Sequence, residues 1–131
     1  MSRRSEAAKK WRPYRSKFEK DIATALRRKK VKFKYEATKI KYTKPVTSHV
    51  YNPDFTLPNG IIIETKGRFT ASDRKKHLLV REQHPELDIR LVFQNANVRL
   101  SKASNTTYGD WADKNNFLWA NKEIPAAWLK E

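Results

Sequence analysis

A chain of 131 residues at 38% hydrophobic content can bury one real core, lean enough that a second copy completing it is an option. Cysteine is absent, which excludes disulfides and thiolate zinc sites, and no apolar run approaches the length of a membrane span. The formal charge is +15, from 29 Lys and Arg against 14 Asp and Glu.

That charge is unevenly placed: residues 1–44 hold 17 of the bases and only four of the acids. A polyanion is the natural partner of such a stretch, and nucleic acid is the commonest one. The plainer alternative is a solvated basic arm. An anionic membrane fits poorly, because no helix offers a broad apolar face to insert. No signal-peptide pattern opens the chain, so a soluble, cytoplasmic protein is expected.

Residues 1–13 read as a flexible basic arm, with Arg3, Arg4, Lys9, Lys10 and Arg12 as candidate phosphate contacts. The domain proper is expected over 14–131. Ser16 opens a helix that runs to about Lys29: Ser16-Lys17-Phe18-Glu19 fits a capping box, and Phe18, Ile22, Ala25 and Leu26 form an apolar stripe. Arg15, Lys17 and Lys30 flank that stripe as further DNA-binding candidates. Val31, Phe33 and Tyr35 alternate with Lys32, Lys34 and Glu36, a half-buried strand, and a second short strand covers Lys39–Tyr42. Thr43 to His49, with Pro45 inside it, is polar and suited to connecting elements in extended form.

Val50–Thr56 and Ile61–Lys66 predict two strands of a hairpin, joined by Leu57-Pro58-Asn59-Gly60. Thr70 or Ser72 caps a second helix that ends before Pro85. Ile89–Phe93 is a further strand. Thr107-Tyr108-Gly109-Asp110 opens a short helix with Trp111 facing inward, and Pro125 starts a last helical turn with Ala127, Trp128 and Leu129 as docking side chains. The sum is a mixed α/β domain, a central sheet flanked by helices.

Chemistry concentrates on the hairpin. Alternation puts Glu64 and Lys66 on one face, roughly 6–7 Å apart at about 3.3 Å per residue. Burying either charge unpaired costs several kcal/mol, so three isoleucines running into a glutamate and a lysine is not ordinary strand design. A divalent metal between Asp54 and Glu64, with Lys66 beside it, accounts for all three, and the Thr65 carbonyl can add a backbone ligand. Mg²⁺ prefers carboxylate and water ligands, and such a centre serves phosphodiester hydrolysis. Lys66 either orients the attacking water or offsets charge on the pentacovalent phosphate; acting as a base would require a much lowered pKa. The competing reading is a surface hairpin with an ordinary cross-strand ion pair, worth under about 1 kcal/mol.

Other residues divide less clearly. On the residues alone, Glu19 is a capping-box acid stabilised by the helix dipole. Arg68, Arg74, Lys75 and Lys76 follow the site and carry permanent charge suited to phosphate. His77 reads as a partly exposed helix histidine within reach of phosphate, and His49 can approach either the metal site or DNA.

Pro53-Asp54-Phe55, Leu57-Pro58-Asn59-Gly60-Ile61, Glu64-Thr65-Lys66-Gly67 and Asp73-Arg74-Lys75-Lys76-His77-Leu78-Leu79 together resemble the phage endonuclease I family. So do the run from Arg81 to Arg90 and the closing Ile124-Pro125-Ala126-Ala127-Trp128. The likeness runs from about Tyr14 to Lys130. It implies a restriction-endonuclease-like fold with a central mixed sheet, in an intertwined, strand-exchanged homodimer. It also implies a Mg²⁺-dependent endonuclease, Mn²⁺ substituting, that resolves four-way (Holliday) junctions of DNA recombination and cuts other branched DNA.

Asp54, Glu64 and Lys66 fall on the family's catalytic positions, and Arg15-Ser16-x-x-Glu19 matches the segment of its fourth active-site acid. The resemblance thus reverses the capping reading of Glu19, which would come from one subunit while the other three come from its partner. Residues 44–49 would be part of the bridge between subunits, and the host cytoplasm the place of action. No protein partner beyond a second copy is implied. The arm before Tyr14 departs from the family in detail, and the chain stops at Glu131 without a long basic tail.

Two other readings share the charge pattern. One is a different nuclease of the same class, cutting linear or mismatched duplex as well. The other is an architectural DNA-binding protein without catalysis, which has no use for acids facing phosphate.

Overall fold

The computed structural model describes residues 13–44 and 48–131. The arm candidates Arg3, Arg4, Lys9, Lys10 and Arg12, and residues 45–47 of the expected bridge, lie outside the described residues.

Helix α1 spans Lys17–Arg28 behind the N-cap Ser16, whose hydroxyl accepts from the Glu19 amide. It stops in a Schellman-type closure: Lys30 takes φ 57°, and the Val31 amide reaches back to the Leu26 carbonyl at 3.0 Å. That closure consumes Val31, so the strand expected over residues 31–35 shrinks to β1, Lys34–Tyr35. Strands β2 (Ile40–Thr43) and β3 (Ser48–Tyr51) pair as a separate antiparallel ribbon. The five-stranded sheet then collects β4 (Phe55–Thr56), β5 (Ile62–Lys66), β6 (Ile89–Phe93) and β7 (Trp119–Asn121) around β1, in the order β1-β4-β5-β6-β7. The β1-β4-β5 pairs are antiparallel and β5-β6-β7 parallel, a mixed sheet.

Helix α2, Ala71–Gln83, carries the connection from β5 to β6, and α3, Tyr108–Lys114, precedes β7. A final turn, α4, spans Ala126–Leu129. Strands β5 and β6 are buried along their whole length, as expected for parallel strands covered on both faces. Ile63 and Val92 meet Ile22, Ala23 and Leu26 of α1 on one face; Ile62, Leu91 and Phe93 meet Phe69, Val80 and Ala112 on the other. The single buried guanidinium of β6, Arg90, is satisfied by bidentate pairing to both Asp88 and Glu131.

The expected strand Val50–Thr56 is in fact two. Pro53 has no amide hydrogen for a ladder and restricts Asn52, so pairing lapses at 52–54 and the chain crosses from the ribbon into the main sheet. The Leu57–Gly60 turn is as expected: the Gly60 amide bonds to the Leu57 carbonyl at 2.9 Å, and Gly60 has φ 89°. Strand β7 was not expected; Trp-Ala-Asn has no alternation to mark it. What holds it is packing, with Trp119 against Phe93 at 6.1 Å and its indole nitrogen donating to Asp113 at 2.8 Å.

A Cβ at Gly109 would lie 2.8 Å from that pinned Trp119 ring. Gly109→Ala is expected to cost about 1–3 kcal/mol in denaturant unfolding despite its better helix propensity. A neutral or stabilising result would show that the ring yields.

Candidate active site

The lapse at Pro53 places Asp54 where β4 begins, beside the last residues of β5. Asp54 Oδ2 accepts from the Thr65 amide at 2.9 Å and the Thr65 hydroxyl at 2.8 Å. Oδ1 is left without a hydrogen bond among the described residues. Glu64, on the opposite face of β5 from Thr65, is held by three donors. Its Oε2 accepts from Tyr51 at 2.7 Å and from the Asp54 amide at 3.3 Å, and its Oε1 pairs with the Lys66 ammonium at 3.3 Å. Lys66 reaches Asp73 as well, at 3.5 Å.

Glu19 arrives from α1. Its carboxylate does not fold back to close a capping box on the Ser16 amide; it accepts from Tyr35 at 2.5 Å and the Arg15 amide at 3.5 Å. Glu19, Glu36 and Asp54 each offer an oxygen within 4.8 Å of the others, a set able to hold a metal ion. All three are hard oxygen donors, with no thiolate or thioether in the set. That chemistry fits a Mg²⁺- or Mn²⁺-type cation.

The electrostatics agree with a site built for added positive charge. Burial, then Glu64 and Glu19, push the Asp54 carboxyl up to about 8, against the pull of its two bonds from Thr65. Burial alone would lower the Lys66 ammonium, but Glu64, Asp73 and Asp54 outweigh it and raise its pKa, so it is a cation at neutral pH. Burial, then Lys66 and Thr70, act on Asp73 in opposite senses, and the net is a lowered carboxyl. Burial and the neighbouring glutamates hold the Tyr35 and Tyr51 phenols protonated.

Sequence reasoning had singled out Glu19, Asp54, Glu64, Thr65 and Lys66, and the fold brings all five to one cleft with Arg15 and Lys76 on its walls. It missed Glu36, Tyr35, Tyr51 and Asp73. Glu36 was an alternating polar residue on a predicted strand; its left-handed φ of 49° and its 3.0 Å pair with Arg15 exist only in the fold. Asp73 had a legible signal, three residues beyond Thr70 in a capping box, but not its contact with Lys66.

The basic candidates disperse. Lys17 sits near Glu19 at the cleft's flank, paired with Asp21 at 2.9 Å. Lys30 lies at the far end of α1 and serves its closure. Arg68 and Lys75 are exposed, and Arg74 is engaged by the Phe69 carbonyl at 2.7 Å. His49 lies tilted against Tyr42, its cross-strand partner in the ribbon, with ring centres 5.4 Å apart.

His77 corrects its expectation. It is fully buried against Tyr51 and Phe69, so it presents no surface to phosphate. The α2 face that looked basic in sequence turns this one residue inward. Neither ring nitrogen has a hydrogen bond among the described residues. Burial, then Lys66 and Lys76, hold it well below the usual histidine range.

A sheet-borne carboxylate cluster beside a charged lysine, in an open polar cleft, has the form of a nuclease site. The particular kind follows from comparison: the chain belongs to the phage endonuclease I family, whose model matches residues 1–131. Endodeoxyribonuclease 1 of Enterobacteria phage T3 is 53% identical over 120 residues, covering 92% of this chain and 79% of that protein. Endonuclease I of Escherichia phage T7 is 51% identical over 118 residues, covering 90% and 79%. The family expected from the motifs is the one found. Among the described residues, no helix is long and apolar enough to cross a membrane.

Two buried groups give opposite pH signatures in the metal-free protein. Asp54 binds its proton more tightly when folded, so its contribution is full below about pH 4 and is lost as pH rises to about 8. His77 resists protonation when folded, so stability is lost as pH falls below about 6.5. In thermal unfolding followed across this range, Asp54→Asn is expected to flatten the alkaline decline and His77→Leu the acid one. Profiles parallel to the parent's would refute both assignments.

Proposed function

We propose that the chain is a structure-selective endodeoxyribonuclease that resolves four-way junctions and cuts other branched DNA by metal-dependent phosphodiester hydrolysis. The observation that carries this reading is the convergence of Glu19, Asp54, Glu64 and Lys66 on one cleft in a member of the phage endonuclease I family. The T3 and T7 relatives are named as endonucleases, the T3 protein as an endodeoxyribonuclease.

Asp54 would hold the cation with Glu64 and the Thr65 carbonyl, and Glu19 and Glu36 offer further oxygens within 4.8 Å of one from Asp54. Bound there, Mg²⁺ supplies Lewis-acid polarisation of the phosphate and a more acidic water. The chain's own residues do the rest. Thr65 fixes the Asp54 carboxylate with two donors, leaving Oδ1 directed elsewhere. Lys66, kept charged by Glu64 and Asp73, stabilises the negative charge that grows on the phosphate. It is no general base in that state. Arg15, Lys17 and Lys76 position the backbone at the cleft; Arg68, Arg74, Lys75, His49, Lys30 and the arm residues extend the contact. Such contacts carry no base information, so selection rests on branch geometry.

A restriction-endonuclease-like domain over 14–131, acting as a strand-exchanged homodimer, fits this reading. The β2-β3 ribbon stands apart from the main sheet, and residues 44–49, of which 45–47 lie outside the described residues, would be the bridge. In the exchanged form Glu19 would meet the Asp54 of the second copy by the same contact. Two such sites on a two-fold axis suit paired nicks in opposing strands, and the host cytoplasm is where this DNA is met.

An end-labelled four-way junction and its matched linear duplex, incubated in Mg²⁺ at moderate salt, test the proposal. Paired nicks near the branch with the duplex intact are expected, with no cutting in EDTA. Asp54→Ala should lose at least about a hundredfold in cleavage rate while binding the junction as before. Equal cutting of both DNAs would leave a nuclease and remove the resolvase, and an active Asp54→Ala would overturn the site.

A further inference from the structure

Two of the three glutamates in the cleft, Glu19 and Glu64, are each gripped by a tyrosine; the third, Glu36, pairs with Arg15 at 3.0 Å. The Tyr35 hydroxyl donates to Glu19 Oε1 at 2.5 Å, and the Tyr51 hydroxyl donates to Glu64 Oε2 at 2.7 Å. The two tyrosines come from different strands, β1 and β3, on either side of the Pro53 lapse in the sheets.

Both rings are set by packing rather than by the acids they hold. Tyr35 lies edge-on to Tyr14 at 4.6 Å and tilts over Phe55 at 5.4 Å. Tyr51 is 2% exposed, edge-on to the buried His77 at 5.5 Å and capped by the Lys76 ammonium at 5.3 Å from its ring centre. A glutamate has three side-chain torsions to lose, and neither of these is held by burial alone. Glu19 has also given up the local partner its sequence offered, the N-cap amide. A phenol on a rigid ring is what replaces it.

We propose that Tyr35 and Tyr51 are positioning residues, whose hydroxyls set the rotamers of Glu19 and Glu64 so that both carboxylates meet Asp54 before metal or DNA arrives. This rests on the reading of Glu19 and Glu64 as site acids. The simpler view is that a buried phenol takes whichever acceptor is near, with no consequence for the site. The two views differ in what removing one oxygen does. Partners that orient metal-binding side chains are worth about 10–100-fold in metal affinity or activity.

Tyr35→Phe and Tyr51→Phe keep the rings and delete only the hydroxyls. The full chain and both variants are titrated with Mn²⁺ by calorimetry without DNA. Junction affinity is then measured in EDTA, and the single-turnover cleavage rate at saturating junction and metal. Expected for Tyr51→Phe is Mn²⁺ binding weakened about tenfold or more and a cleavage rate down by a similar factor. Tyr35→Phe should weaken Mn²⁺ binding and slow cleavage by a similar factor, since Glu19 belongs to the Glu19–Glu36–Asp54 oxygen set. Junction affinity should stay at the parent's value in both, as should the thermal midpoint of Tyr35→Phe, while that of the buried Tyr51→Phe falls modestly and stays well above the assay temperature.

Parent-like Mn²⁺ binding and rate in both variants would overturn the inference. So would losses that follow a lowered thermal midpoint and vanish on cooling. Should Tyr51→Phe fail to fold, Tyr35→Phe at its half-buried position decides alone. A parent chain that neither binds Mn²⁺ nor cuts would remove the functional reading and this inference together. A competent parent with parent-like variants removes the inference only.

Discussion

The two hydrogen bonds from Thr65 to Asp54 are the constraint on which the site depends. They tie the end of the Pro53 lapse to the centre of the sheet, where β5 is buried on both faces. With Asp54 fixed there, its amide is free to donate to Glu64, and its carbonyl accepts from the Glu36 amide at 3.2 Å. One residue thus gathers acids from β5 and from the loop after β1. The cost is electrostatic: a buried carboxylate among carboxylates, whose proton is held until about pH 8.

That crowding explains the neighbours. Lys66 would lose charge by burial, yet it is surrounded by Glu64 and Asp73, and the ion pairs win. Around Glu19 and Glu64, phenols and backbone amides supply the remaining donors, so these two acids are oriented without a further cation. His77, wedged behind Tyr51, stays uncharged and adds no competing cation to the cluster. The result is a pocket with negative charge at its centre and Arg15, Lys17 and Lys76 around it. A divalent cation suits the centre, and a phosphodiester suits the rim.

Much of this is legible in the sequence. Asp54, Glu64 and Lys66 stood out because charged residues ending an isoleucine run demand partners. Helices α1, α2, α3 and α4 were marked by Ser16, Thr70, Thr107 and Pro125, local signals that act through the neighbouring amides. Where the reading failed, the signal was nonlocal. Strand β7 exists only because Trp119 packs on Phe93 and Gly109 leaves it room. His77 looked exposed because its neighbours on α2 are basic, and only the seating of that helix turned it inward. On its local residues alone Glu19 reads as a cap, a reading the family resemblance had already reversed; Tyr35, sixteen residues on, is the donor that holds it.

By itself, then, the sequence determined the family, the charge that invites a polyanion, the helix boundaries and five candidate site residues, Glu19, Asp54, Glu64, Thr65 and Lys66. Each of these follows from composition, from short-range capping and turn chemistry, or from motifs a few residues long. Only the tertiary structure decided which acids meet. Glu19 and Glu36 are distant along the chain from Asp54; Glu19 is marked only by its likeness to a family segment, and nothing around Glu36 distinguishes it from a solvated charge. The pairing of β4 with β5 and the docking of α1 and β1 bring their oxygens within 4.8 Å of one another. In that shared low-dielectric cleft, distance and burial set their chemistry, and neither can be read from a chain one residue at a time.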